Sequence, residues 1–178
     1  MNIKRLWAKL TRNFRASLGG CPAPALVVGA GVCMLLGASV RGVCGSPYQN
    51  GMMLSFGHLL PPVWLMTLLW MLSYALLGAA FARVMCDRRC DVPTEMVKYR
   101  GGMTYLAMLL LGFLWYPVFF CAGRVFVSAM IVLGVLVLCL VTALRYLRAF
   151  FGVSLVLFAH AIFLSWLFLV NLGAALGL

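Results

Sequence analysis

The chain has 178 residues, 65% of them hydrophobic and only 10% charged, with a mean hydropathy of +1.08. Ordinary soluble composition is roughly half apolar and about a quarter charged, so a domain of this length cannot hide that much apolar surface and its solvent has to be lipid. The net charge of +11 would suggest nucleic acid in a soluble protein, but the cations fall between apolar runs, and no nucleic-acid partner is expected.

Residues 1–20 make a first unit. Ile3, Leu6, Trp7, Leu10 and Phe14 recur at helical spacing with Lys4, Arg5, Lys9, Arg12 and Arg15 between them, the pattern of a short amphipathic helix lying in the membrane interface. The apolar residues are dispersed rather than gathered into one core, which argues against a secretory signal peptide; a basic organellar transit peptide stays open.

From residue 21 to 178 the chain reads as one membrane domain. A spanning helix needs about 20 mainly apolar residues, and five stretches meet or approach that: 23–41, 59–84, 102–121, 125–144 and 151–176. Only helices and closed barrels satisfy their backbone in lipid, so the predicted fold is an all-α, five-helix transmembrane bundle. The first span is the shortest. Its Ala25, Gly29, Cys33 and Gly37 form a four-step ladder of small residues that lets helix backbones approach each other. With Gly173 and Gly177 in the last span, the ladder offers a face for a homodimer. "CAGR" at 121–124 is the one break between the third and fourth spans, which predicts a tight antiparallel hairpin.

Twelve of the 14 Lys and Arg lie in the N-terminal segment, the second-to-third connection (Arg83, Arg88, Arg89, Lys98, Arg100) and the fourth-to-fifth (Arg145, Arg148); Arg41 and Arg124 fall on the other side. The positive-inside rule then predicts a cytoplasmic N-terminus and basic loops and an external C-terminus, in a bacterial cytoplasmic membrane. All three acids, Asp87, Asp91 and Glu95, sit in one basic connection, and no carboxylate or basic group falls at the centre of a span. That argues against proton pumps, ion-coupled carriers and voltage sensors. Cys86 and Cys90 make a C-x3-C for which a metal site and plain reduced thiols are both open. The cysteines at 21, 33, 44, 121 and 139 read as small apolar fillers.

Three spans carry aromatic, faintly polar stripes. In the second, Pro61 and Pro62 suit the first turn of a helix, and Trp64 falls at the lipid–water boundary. Trp70, Tyr74 and Gly78 follow four residues apart. The third has Tyr105, Met108, Gly112 and Trp115; the fifth has His160, Phe163, Leu167 and Asn171. A bundle turns such stripes inward, where they either pack solid or wall a cavity. On the residues alone both remain open.

The run 61–78, "PPVWLMTLLWMLSYALLG", resembles the second-helix signature of the tryptophan-rich sensory protein / translocator protein (TspO/MBR) family, close to P-P-G-W-V-F-G-P-V-W-T-L-L-Y-A-L-M-G. Pro61, Pro62, Trp64, Trp70, Tyr74, Ala75, Leu76 and Gly78 align without a gap. The run 105–120, "YLAMLLLGFLWYPVFF", is similar to the family's Y-x-x-Q-L-x-x-N-x-x-W-S-x-x-F-F through Tyr105, Leu109, Trp115, Phe119 and Phe120. Asn171 in "LVNLG" adds a weaker match. Met108 and Gly112 stand where the family has Gln and Asn; Phe163, His160 and Ala159 stand where its fifth helix has Trp, Tyr and Pro, with Trp166 one turn away.

The resemblance implies a pocket among five helices for a planar hydrophobic ligand, a porphyrin or heme-like tetrapyrrole or a sterol-like molecule, and a homodimer. It also implies light-dependent porphyrin breakdown in some members, which the Phe163 replacement puts in doubt. The ligand-binding candidates are Trp64, Trp70, Tyr74, Tyr105, Gly112, Trp115, His160, Phe163 and Asn171. His160 is a candidate to hydrogen-bond a propionate or touch a metal centre, against a neutral ring bonded to a backbone carbonyl. Leu144, Tyr146 and Arg148 imitate a cholesterol-recognition pattern that an interfacial Tyr beside a cytoplasmic Arg also explains; the family's own position for that pattern ends here in "AALGL". The expected role is sensory, regulatory or transport, in contact with membrane lipid. Two alternatives stay open: a structural or partner-binding subunit with a packed aromatic core, and a facilitative transporter without ion coupling.

Overall fold

The computed structural model describes residues 22–44, 62–87 and 92–176; the amphipathic segment 1–20 and Cys90 lie outside them. The described residues form α1 (Ala23–Cys44), α2 (Val63–Met85), α3 (Val92–Tyr116) continued by a π-helical turn (Pro117–Cys121), α4 (Val125–Tyr146) and α5 (Phe151–Leu176). All five are long and apolar enough to cross a membrane, and no strand occurs among the described residues. The chain is an integral multi-pass membrane protein.

Helix boundaries follow local chemistry. Pro62 sits at the N-cap of α2 with extended backbone, and its carbonyl accepts the amides of Leu65 and Met66 at 2.9 and 3.0 Å. α3 starts ten residues before its apolar stretch. "VPTEMVKYR" is too polar for hydrocarbon but continues the helix into water, with Glu95 in its first turn, where the helix dipole favours an acid. Lys98 Nζ donates to the Asp87 carbonyl at 3.1 Å and ties this extension to the end of α2. At the far end of α3, Pro117 has no amide to donate, and the helix widens to the π pattern, with Ala122 N donating to Pro117 O at 3.0 Å. Gly123, at φ 61°, then takes the left-handed conformation that only glycine adopts without strain, and the chain reverses into α4. This is the tight hairpin the sequence predicts.

Around the ring the helices run α1, α2, α5, α4, α3, with the α1–α2 and α4–α5 pairs most extensively packed and the α2–α5 seam much less so. The small-residue ladder of α1 is used within the chain. A Cβ on Gly29 would stand 2.6 Å from both Ala82 Cβ and the Gly78 carbonyl, and one on Gly37 would stand 3.1 Å from the Tyr74 ring. The expected dimer face on α1 is therefore covered by α2. Gly173 has open space around it, and Gly177 lies outside the described residues.

Two further expectations change. Cys44 and Cys121 are not apolar fillers: they form a disulfide, Cα–Cα 5.5 Å, between the end of α1 and the π-turn. Cys33 and Cys139 are buried free thiols, as fillers should be. Tyr146 is fully buried rather than interfacial, its ring against Gly101, so the cholesterol look-alike presents no tyrosine to lipid. Among the described residues no three His, Cys, Asp or Glu side chains converge as a metal site would require.

Candidate ligand cavity

The inward stripes meet in the outer half of the bundle, the half away from the basic connections. Trp70 is 8% exposed. Its ring lies 5.1 Å from those of Tyr74 and Trp115 and 5.7 Å from that of Tyr116. Trp115 stacks on Phe119 at 5.7 Å, and Tyr74 on Phe113 at 4.8 Å with the planes 10° apart. Edge and offset contacts of this kind add about 0.5–1.5 kcal/mol per pair beyond area.

Beside the cluster is a cavity with a free volume of about 20 Å³, room for about one water-sized sphere. α2 contributes Trp70, Ser73, Tyr74 and Leu77 to its wall; α3 contributes Met108, Leu109, Gly112 and Trp115. Val132 and Val135 close it from α4, and His160, Phe163, Leu164 and Leu167 from α5. A Cβ on Gly112 would meet the Tyr74 hydroxyl at 3.6 Å, an ordinary van der Waals contact, so the cavity wall there would accept a small side chain. A cleft of about 140 Å³ adjoins it along the α2–α5 seam, lined by Leu69, Leu72, Leu76, Val156 and Ala159. Ser73, His160 and Phe163 belong to both spaces. Leu69, Leu72 and Leu76 are exposed, so the cleft faces the lipid.

Polar groups here are few. Ser73 Oγ and His160 Nδ1 share a hydrogen bond of 2.8 Å across the seam; the histidine's partner is a serine hydroxyl, not a backbone carbonyl. Trp115 Nε1 donates to Asn171 Oδ1 at 3.1 Å, and Ser128 Oγ reaches the same oxygen at 2.9 Å. Asn171 Nδ2 donates to the Leu167 carbonyl at 2.7 Å. Trp70 Nε1 is different: it is buried and has no hydrogen-bond partner among the described residues. An indole N–H left so in an apolar interior costs about 1–3 kcal/mol.

Of the sequence-derived candidates, Trp70, Tyr74, Gly112, Trp115, His160 and Phe163 wall this one cavity. Three do not. Trp64 is 67% exposed at the start of α2, where lipid headgroups would meet it. Tyr105 lies nearer the basic end, packed against Phe81 and Tyr146 with its hydroxyl donating to the Leu77 carbonyl at 2.8 Å; a buried phenol needs an acceptor, and the α2 backbone supplies one. Asn171 stands behind the wall and holds Trp115. The Trp166 ring lies 5.9 Å from that of Phe163, tilted by 36°, and does not line the cavity. Ser73 and Ser128 were not singled out by sequence, since a serine in an apolar helix carries no periodic signal.

A bundle of five helices, each long and apolar enough to cross a membrane, with a small aromatic-walled cavity in one half, defines the protein class: an all-α multi-pass membrane protein. The TspO/MBR family model matches residues 25–176, nearly the whole membrane domain, and the chain belongs to the TspO/MBR family. Neither a curated protein nor a solved structure gives a significant match.

Proposed function

We propose that the protein binds a planar hydrophobic molecule, of the porphyrin/tetrapyrrole or sterol-like class, in the cavity between α2, α3, α4 and α5, in a sensory, regulatory or transport role. One observation carries this reading: the buried Trp70 indole N–H stands at the cavity wall with no acceptor among the described residues. In the same aromatic cluster the Trp115 indole does have an acceptor, Asn171 Oδ1. The lipid-facing cleft gives a ligand dissolved in the membrane a way in past Phe163 and the Ser73–His160 pair. Drug-sized sites occupy about 300–1,000 Å³, so binding requires the thinly packed α2–α5 seam to part. The basic-residue count favours cytoplasmic basic loops, and the Cys44–Cys121 disulfide favours an oxidising compartment on the opposite side.

The small free volume supports a second reading, a structural subunit with a packed aromatic core. Titrating purified protein with protoporphyrin IX, following the Soret band and tryptophan quenching, separates the two. Trp70→Ala is expected to weaken binding about tenfold or more, whereas Trp64→Phe leaves it unchanged; the loss corresponds to at least about 1.4 kcal/mol. No saturable binding by a folded protein, or equal affinity in both variants, refutes the cavity reading.

A further inference from the structure

The ladder on α1 ends in a charge. Gly29, Cys33, Gly37 and Arg41 are four residues apart on one helix face. The contacts of Gly29 with Gly78 and of Gly37 with Tyr74 bring that face close enough to α2 for Arg41 to reach across it. Arg41 Nη1 donates to Thr67 Oγ1, one turn outward from Trp70, and the guanidinium also bonds the side chain of Tyr116. The Tyr116 ring lies 5.7 Å from Trp70 and 6.0 Å from Trp115. Three residues beyond Arg41, the Cys44–Cys121 disulfide fastens the end of α1 to the π-turn that follows Tyr116. A half-buried cation is thus held over the outer edge of the aromatic cluster.

Among the described residues no acidic side chain lies at this end of the bundle. Of the described acids, Asp87 follows the end of α2 and Glu95 lies in the first turn of α3, both at the opposite end of the bundle. Both contacts of Arg41 given above are to hydroxyl-bearing side chains. A guanidinium offers five N–H donors in a planar fork, and its best complement is a carboxylate gripped by two parallel bonds. Trp70 Nε1 below it, unpartnered among the described residues, is a further donor, so the described part of this end of the site is rich in N–H donors and holds no acidic side chain.

We infer that the ligand is a planar hydrophobic carboxylic acid and that Arg41 recognises its carboxylate, with the ring system directed inward onto Trp70 and Trp115. This rests on the cavity reading above and narrows it, because a neutral sterol offers Arg41 no anion.

The test compares protoporphyrin IX with its dimethyl ester, same ring and no acid, on the full-length protein in neutral-lipid nanodiscs. The free acid should bind about tenfold or more tightly than the ester. Arg41→Gln should abolish that preference by weakening the acid alone, and Arg41→Lys, which keeps the charge but not the fork, should restore part of it. Ester binding reports that the variant site is intact, and the wild-type comparison stands even where a variant fails to fold. Equal affinity for acid and ester in wild type, or an acid preference that survives Arg41→Gln, overturns the inference and leaves the cavity reading in place; Arg41 then only caps the negative end of α1. If neither compound binds the wild type, both readings fall.

Discussion

The contact between α1 and α2 is close enough for a single methyl group to test it. A Cβ on Gly78 would stand 2.7 Å from the Gly29 carbonyl carbon and 2.8 Å from Cys33 Cβ, and nearer still to the Gly29 carbonyl oxygen. Two of these three atoms are backbone, which cannot swing aside as a side chain can. Gly78→Ala therefore forces α1 away by something near 1 Å, the gap between such distances and ordinary van der Waals contact, and overpacking of this kind costs about 1–3 kcal/mol. The displacement also has a lever arm, because Arg41 and Cys44 are on the same helix and depend on its approach to α2. Gly31→Ala and Gly42→Ala are the controls: each has open space around it, and alanine's better helix propensity should leave stability unchanged or raise it by up to about 1 kcal/mol. Thermal unfolding in detergent, followed by tryptophan fluorescence, should give a lower midpoint for Gly78→Ala than for wild type and a midpoint at or above wild type for both controls. A Gly78→Ala midpoint equal to that of Gly31→Ala would refute the close approach.

Two other predictions concern the outer half. Asn171→Leu removes the acceptor that holds Trp115 Nε1 and Ser128 Oγ; intramembrane hydrogen bonds average about 0.6 kcal/mol and reach about 1.7, so the unfolding midpoint should fall and the tryptophan emission shift as Trp115 loses its bond. An unchanged midpoint and spectrum would mean the bond contributes nothing. Cys44→Ser opens a link across a sequence separation of 77 residues, for which chain entropy sets a ceiling of about 4.5 kcal/mol; a lower midpoint is expected together with loss of the mobility shift between reduced and oxidised protein on a denaturing gel, and wild type without that shift would contradict the disulfide.

The legible parts of the fold are those lipid imposes. Without water to satisfy backbone groups, a span has to be a helix, and its length has to match the bilayer; this places all five helices from hydropathy alone. Boundaries fail where the rule does not apply. The start of α3 lies in the polar stretch 92–101, outside the hydrocarbon, where hydropathy has no bearing on helix formation. The α1 ladder shows another limit: spacing reveals a face of small residues but not whether the helix it receives belongs to the same chain. The contact of Gly29 with Gly78 settles that in favour of α2.

For the cavity, periodicity finds residues that share a helix face but not their depth along the bundle. Tyr105 and Gly112 lie on one stripe of α3, seven residues apart, which is about 10 Å of rise. That distance separates a phenol bonded to the α2 backbone from the cavity wall, and no single-helix pattern encodes it. Groups that act across helices are harder still to read. Ser73 and His160 are 87 residues apart and bond at 2.8 Å; Cys44 pairs with Cys121 across 77. Arg41 was visible in the sequence only as one of two cations on the sparsely charged side. Its meaning depends on three facts from different helices: the ladder that brings α1 close, the hydroxyl of Thr67, and Tyr116 against Trp70. On the proposed reading, the aromatic stripes mark where a flat molecule would stack, and the isolated charge nearest the mouth marks where its polar group would sit. In a membrane protein with so few charges, each cation that lacks an acid at its own end of the bundle is where ligand chemistry should be sought.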